Sequence, residues 1–78
     1  MASTKWFYPL QDKVKEYLKE KYSVYECQYQ VITTKRVFES YMVRVGNDFQ
    51  AIMVVMTRAG HDNYSIKIFD YNTSVSVL

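Results

Sequence analysis

The amino-acid sequence predicts an α+β domain in which one N-terminal helix packs on a four-stranded antiparallel sheet. Two periodicities carry that expectation. From Pro9 to Tyr22 the apolar residues recur at helical spacing, and from Val24 onward most segments alternate with the two-residue period of a strand. Turn-forming clusters are the third observation: Gly46-Asn47-Asp48 and Ala59-Gly60-His61-Asp62-Asn63 separate the later strand segments as sheet turns would. A chain of 78 residues has room for one such domain. Its hydrophobic fraction of 49%, with two Gly and one Pro, is that of a globular chain and not of a disordered one. Aromatic residues make up 17%, and large rings help a short chain to build a core.

Residues 1–8 read as an N-terminal arm and 9–22 as the helix. Leu10, Val14, Tyr17, Leu18 and Lys21 fall on one helical face, while Gln11, Asp12, Lys13, Lys15, Glu16, Lys19 and Glu20 form the wet one. Pro9 suits the first turn, where its missing N–H costs nothing. Phe7 or Tyr8 is placed to staple the incoming chain against Lys13 or Val14. Asp12 lies early and Lys19 and Lys21 late, as the helix dipole favours.

The sheet is expected over 24–71. In Val24–Thr34 the residues Tyr25, Cys27, Tyr29, Val31 and Thr33 point one way, and Glu26, Gln28 and Gln30 the other. The charged pair Lys35-Arg36 interrupts the pattern. Val37–Val45 sets Tyr41, Val43 and Val45 opposite Ser40, Met42 and Arg44. Phe49–Met56 is apolar on both faces, which suits a central strand. Tyr64–Tyr71 closes the sheet, and 72–78 is a tail or a short edge strand. A helix of 14 residues spans about 21 Å and a strand of six or seven about 20–24 Å, so the helix can cover one sheet face. That covered face is expected to hold Tyr29, Val43, Val55 and Ile66. The open face would then carry Gln28, Gln30, Met42, Arg44, Ile52, Val54, Lys67, Phe69 and Tyr71.

Little in the sequence points to catalysis. Cys27 and His61 are the one thiol and the one imidazole, but a pair without a third orienting group is a weak nucleophile signature. Cys27 shares a side with Tyr25, Tyr29 and Val31, where a buried small hydrophobe is the ordinary role, and one Cys with one His is too few for a zinc site. Asp12, Glu16 and Glu20 line a helical face interleaved with Lys15 and Lys19, the pattern of a solvated surface. Asp48, Asp62 and Asp70 sit at turns or a strand end, and two glycines cannot build a phosphate loop. No cofactor and no metal is expected. The lone cysteine excludes an internal disulfide, and Trp6-Phe7-Tyr8 does not extend into a signal core, so the expected setting is cytoplasmic. The longest wholly apolar run, Ala51–Met56, is too short to span a bilayer, so no membrane partner is expected. The sequons at Asn63-Tyr64-Ser65 and Asn72-Thr73-Ser74 read as chance matches in that setting.

Asp12-Lys13-Val14-Lys15 looks like the start of the long helix of stefins. Gln30-Val31-Ile32-Thr33-Thr34 is similar in placement to their Q-V-V-A-G hairpin, and Tyr41–Gly46 and Phe49–Val55 look like the two strands that follow. The chain thus resembles the cystatin family, which implies a helix followed by antiparallel strands. Cystatins block papain-like proteases with an N-terminal Gly, a Q-x-V-x-G hairpin and a later Pro- or Trp-containing loop. Here no Gly stands in the N-terminal arm, Thr34 replaces the hairpin Gly, and Arg58–Asn63 has neither Pro nor Trp. The resemblance therefore carries the architecture and no inhibitory residues.

The expectation for function is a small non-enzymatic protein-binding module. It would act through the exposed sheet face or by self-association as a homodimer, with Met42, Arg44, Ile52, Val54 and Phe69 as contacts. That composition, Met and aromatic with an Arg rim, is favoured in interface cores. Two alternatives stand beside it. Arg44, Lys67, Phe69 and Tyr71 could bind single-stranded nucleic acid by stacking and phosphate neutralisation, although the net charge is only +2. The other is a degenerate cystatin-like cysteine-protease inhibitor.

Overall fold

The computed structural model describes residues 5–70 and 73–78. Met1–Thr4, Tyr71 and Asn72 lie outside them, and with them the expected place of Tyr71 on the open face and the second sequon. A short 3-10 turn, Lys5–Phe7, leads into helix α1, Tyr8–Lys21. Among the described residues five strands follow: β1 Tyr25–Ile32, β2 Arg36–Val45, β3 Asp48–Arg58, β4 Tyr64–Phe69 and β5 Ser74–Ser76. They form one antiparallel sheet in the order β1-β2-β3-β4-β5, each strand paired with its neighbours in sequence. The expected count of four strands is corrected to five, because residues 74–76 of the tail pair with β4 as an edge strand.

Helix α1 forms where the 3.6-residue period predicts it, within a residue at each end. Pro9 occupies its first turn, and the Tyr22 amide closes the last turn by donating to the Leu18 carbonyl at 2.8 Å. Its buried stripe is Leu10, Val14 and Leu18, with Phe7 before it and Tyr17 half-buried beside it. Lys21, at the end of that stripe, stays in water, with its ammonium over the Tyr17 and Tyr22 rings. Against the helix the sheet sets Val37, Tyr41 and Val43 of β2, Ile52, Val54 and Met56 of β3, and Ile66 and Ile68 of β4.

Two details fix which side chains face the helix. Between β2 and β3 the turn is two residues long: Val45 pairs with Asp48, and Gly46 takes a φ of +63°, which glycine adopts without a Cβ penalty. Tyr41 therefore lies across from Ile52 and Val43 from Gln50, so Ile52, Val54 and Met56 share the helix side. The expected placement of Val55 on the covered face, and of Ile52 and Val54 on the open one, is a phase error of one residue in β3. In β1 the register shifts between Cys27 and Tyr29, a β-bulge. Cys27 faces with Tyr41, but after the bulge Tyr29 lies across from Ser40 and Gln30 from Glu39. Tyr29 is therefore on the open side and Gln30 on the helix side, the reverse of the expectation for both.

The bulge has a chemical partner. Glu39 is fully buried between helix and sheet. Its Oε2 accepts from Gln11 Nε2 of the helix at 2.6 Å and from Gln30 Nε2 of β1 at 2.7 Å, and its Oε1 accepts from the Tyr41 hydroxyl at 2.9 Å. A buried carboxylate is tolerated only with such donors. Without the extra residue in β1, the alternation running from Cys27 would turn Gln30 away from it.

Candidate binding face

The sheet face opposite the helix is built from every second residue of four strands. Pairing places Tyr29, Ser40, Met53 and Phe69 in one cross-strand row, and Val31, Phe38, Val55 and Lys67 in the next. Met42 and Ala51 pair beside the first row, with Glu26 of β1 across from Met42. The result is a contiguous apolar surface: Phe38, Met42, Met53 and Val55 are half-buried by their neighbours alone, while Tyr29, Val31 and Phe69 are 52%, 48% and 39% exposed. Its charged rim is mostly basic, with Arg36, Arg44 and Lys67 against Glu26. Arg44 turns its Nε toward the Gly46 carbonyl at 3.0 Å, which holds the guanidinium at the β2–β3 end of the face.

Of the five contacts expected from the sequence, Met42, Arg44 and Phe69 lie on this face. Ile52 and Val54 do not: at 2% and 0% exposure they are core, pressed under the helix. Their neighbours in sequence, Met53 and Val55, take their places on the open side, joined by Phe38, Tyr29 and Val31, which the sequence reading did not select. The signal for Met53 and Val55 was present. A two-residue turn at Gly46-Asn47 pairs residues whose numbers sum to an odd value, so an inward Val43 requires inward even-numbered residues in β3. Tyr29 and Val31 had no such signal, because a bulge leaves no mark in an alternating pattern.

A second surface lies at one end of the sheet. The β1–β2 and β3–β4 turns run side by side, joined by a 2.8 Å bond from the Arg58 amide to the Lys35 carbonyl. Thr34, Lys35, Arg58, Gly60 and His61 line an open groove of about 360 Å3 there. Trp6 stacks on Tyr64 with ring centroids 6.2 Å apart, which brings the start of the described chain to the same end. His61 is thereby remote from Cys27. Cys27 pairs with Tyr41 and so lies level with Ile52, whereas His61 follows Arg58, about 20 Å further along β3. Cys27 is exposed and not the buried small hydrophobe expected from the sequence, because no described strand lies beyond the β1 edge. Partial burial and then the nearby Glu39 carboxylate still push its thiol above the ordinary range, which disfavours the nucleophilic thiolate.

No family model, curated protein or solved structure matches this chain. Among the described residues no helix is long and apolar enough to cross a membrane.

Proposed function

We propose that this chain is a small non-enzymatic module that binds another protein through the open sheet face. The observation that carries the reading is the pair of adjoining, mostly apolar rows, Tyr29-Ser40-Met53-Phe69 and Val31-Phe38-Val55, which no described residue covers on the side away from the helix. Contiguous exposed apolar surface rimmed by charge is the usual mark of an interaction site. The contacts are Met42, Met53, Val55 and Phe69 at the centre, with Arg44 and Lys67 at the rim. The rim favours a partner whose own apolar patch is bordered by acidic side chains, since complementary charge steers encounter. A cytoplasmic setting belongs to the same proposal.

The test is a nuclease-treated capture from lysate of the source organism with wild type, Phe69→Asp and Met53→Asp. A protein retained by the wild type and lost from both variants, each still folded, is the expected result. Capture that vanishes on nuclease treatment would overturn the reading in favour of a nucleic-acid-binding face, where Arg44, Lys67 and the exposed rings stack and neutralise.

The hairpin end favours a second reading. Both turns and the Trp6 segment converge there, as the wedge of a cystatin-like inhibitor would require, and Gln30–Thr34 runs from the end of β1 into the first turn. Tight inhibition of papain by the intact chain would support it, and no inhibition at molar excess would overturn it.

A further inference from the structure

β1 is an edge strand of eight residues, and among the described residues its outer side has no partner within the sheet. Natural edges are usually blunted by Lys, Pro or a bulge. The bulge near Gln28 protects one half of β1, but from Tyr29 to Ile32 there is no charge, no Pro and no Gly. Side chains on both faces of this stretch are exposed: Tyr29 and Val31 on the open side, and Ile32, at 44%, on the helix side. The backbone phase is fixed by the Thr33 amide, which donates to the Arg36 carbonyl at 2.8 Å. Every second residue back from Thr33, namely Val31 and Tyr29, therefore turns its amide toward β2. Gln30 and Ile32 turn their amides and carbonyls outward.

We infer that two copies of this chain pair antiparallel along β1, joining their sheets edge to edge across a two-fold axis at Val31. In that register Gln30 of one copy and Ile32 of the other exchange amide-to-carbonyl bonds, and the axis repeats the exchange. The outward groups of both residues are thereby used. Val31 meets its own counterpart on the open face at a non-hydrogen-bonded position, where side chains approach closely and β-branched pairs are favoured. Charge fits the same register: Glu26 of each copy comes beside the Lys35-Arg36 turn of the other, opposite signs meeting at both ends of the ladder. A shift that set Glu26 against Glu26 would place like charges together. The two open faces then lie on the same side of one continuous sheet, so a partner protein would meet a doubled apolar surface. The inference stands apart from the proposed face-binding function and does not need it. An interface this short falls below about 1,000 Å2 and belongs to the weak class of association.

Amide hydrogen exchange and mass by sedimentation are measured on the full chain between about 10 µM and about 1 mM. Protection of the Gln30 and Ile32 amides is expected to rise with concentration alongside a monomer-to-dimer shift. Ile32→Pro removes an outward donor while leaving the open face untouched, and is expected to weaken the dimer about tenfold or more. A monomer throughout the range overturns the inference. So does a dimer in which those two amides stay unprotected, or one that survives Ile32→Pro but is lost in Phe69→Asp, since that dimer would be face to face.

Discussion

Tyr41 holds its hydroxyl against the Glu39 carboxylate in a part of the core closed to water. Burial, then the charge of Glu39 and the hydrogen bond to it, push the phenol far above its ordinary range. In the unfolded chain the same phenol ionises near pH 10. Below that pH both states keep the proton, and the contribution to stability is complete. Above it the unfolded chain holds fewer protons than the folded one, so stability falls as pH rises, by up to about 1.4 kcal/mol per pH unit for one such group. Tyr41→Phe removes the difference. The alkaline limb of stability, followed by urea unfolding from about pH 9 to about pH 11, is therefore expected to be flatter in Tyr41→Phe than in wild type. Equal slopes would mean that the phenol ionises alike in both states.

Strand phase is the element-scale property on which the candidate site depends, and β3 offers a direct check. Ile52 and Met53 are adjacent and similar in size, yet one lies under the helix and the other on the open face. Ile52→Asp buries a carboxylate with no donor arranged for it, a cost above about 4 kcal/mol that should move the urea midpoint far down. Met53→Asp keeps its charge in water and should cost about 1 kcal/mol or less. The reverse ranking in urea melts would mean that β3 is out of register. The same two residues mark what could be read from the sequence. Helix α1 was legible because Leu10, Val14 and Leu18 repeat against a charged face. The later strands were legible because Gly46 and Gly60 punctuate them. Phe49–Met56 is apolar on both faces, so periodicity alone could not say which face is covered; turn length could. β5 was visible only as one of two options, since three residues leave little pattern. The β1 bulge was not legible, because it answers to Glu39, a partner brought near only by folding.

At the scale of the molecule, the two sheet faces are both apolar but do different work. One face is covered by Leu10, Val14 and Leu18, each nearly or fully buried. Losing a side chain of that kind costs about 2–5 kcal/mol, and a whole small domain holds about 5–15 kcal/mol. Replacing all three with Ala should therefore unfold the chain. Local helix preference cannot be blamed for that outcome, since Ala is the strongest helix former and would favour α1 in isolation. The matching change on the other face is Met42→Ala, Met53→Ala and Phe69→Ala together. These side chains are half-buried or exposed and have no layer above them, so the triple variant should still unfold cooperatively, with a loss of about 1 kcal/mol per site. Both variants would be followed by urea unfolding monitored at the far-ultraviolet helix and sheet signals. If the helix-stripe variant stays folded, the sheet is held by something other than α1. If the open-face variant collapses, those residues are core, and the proposal that they are free to meet a partner fails with them.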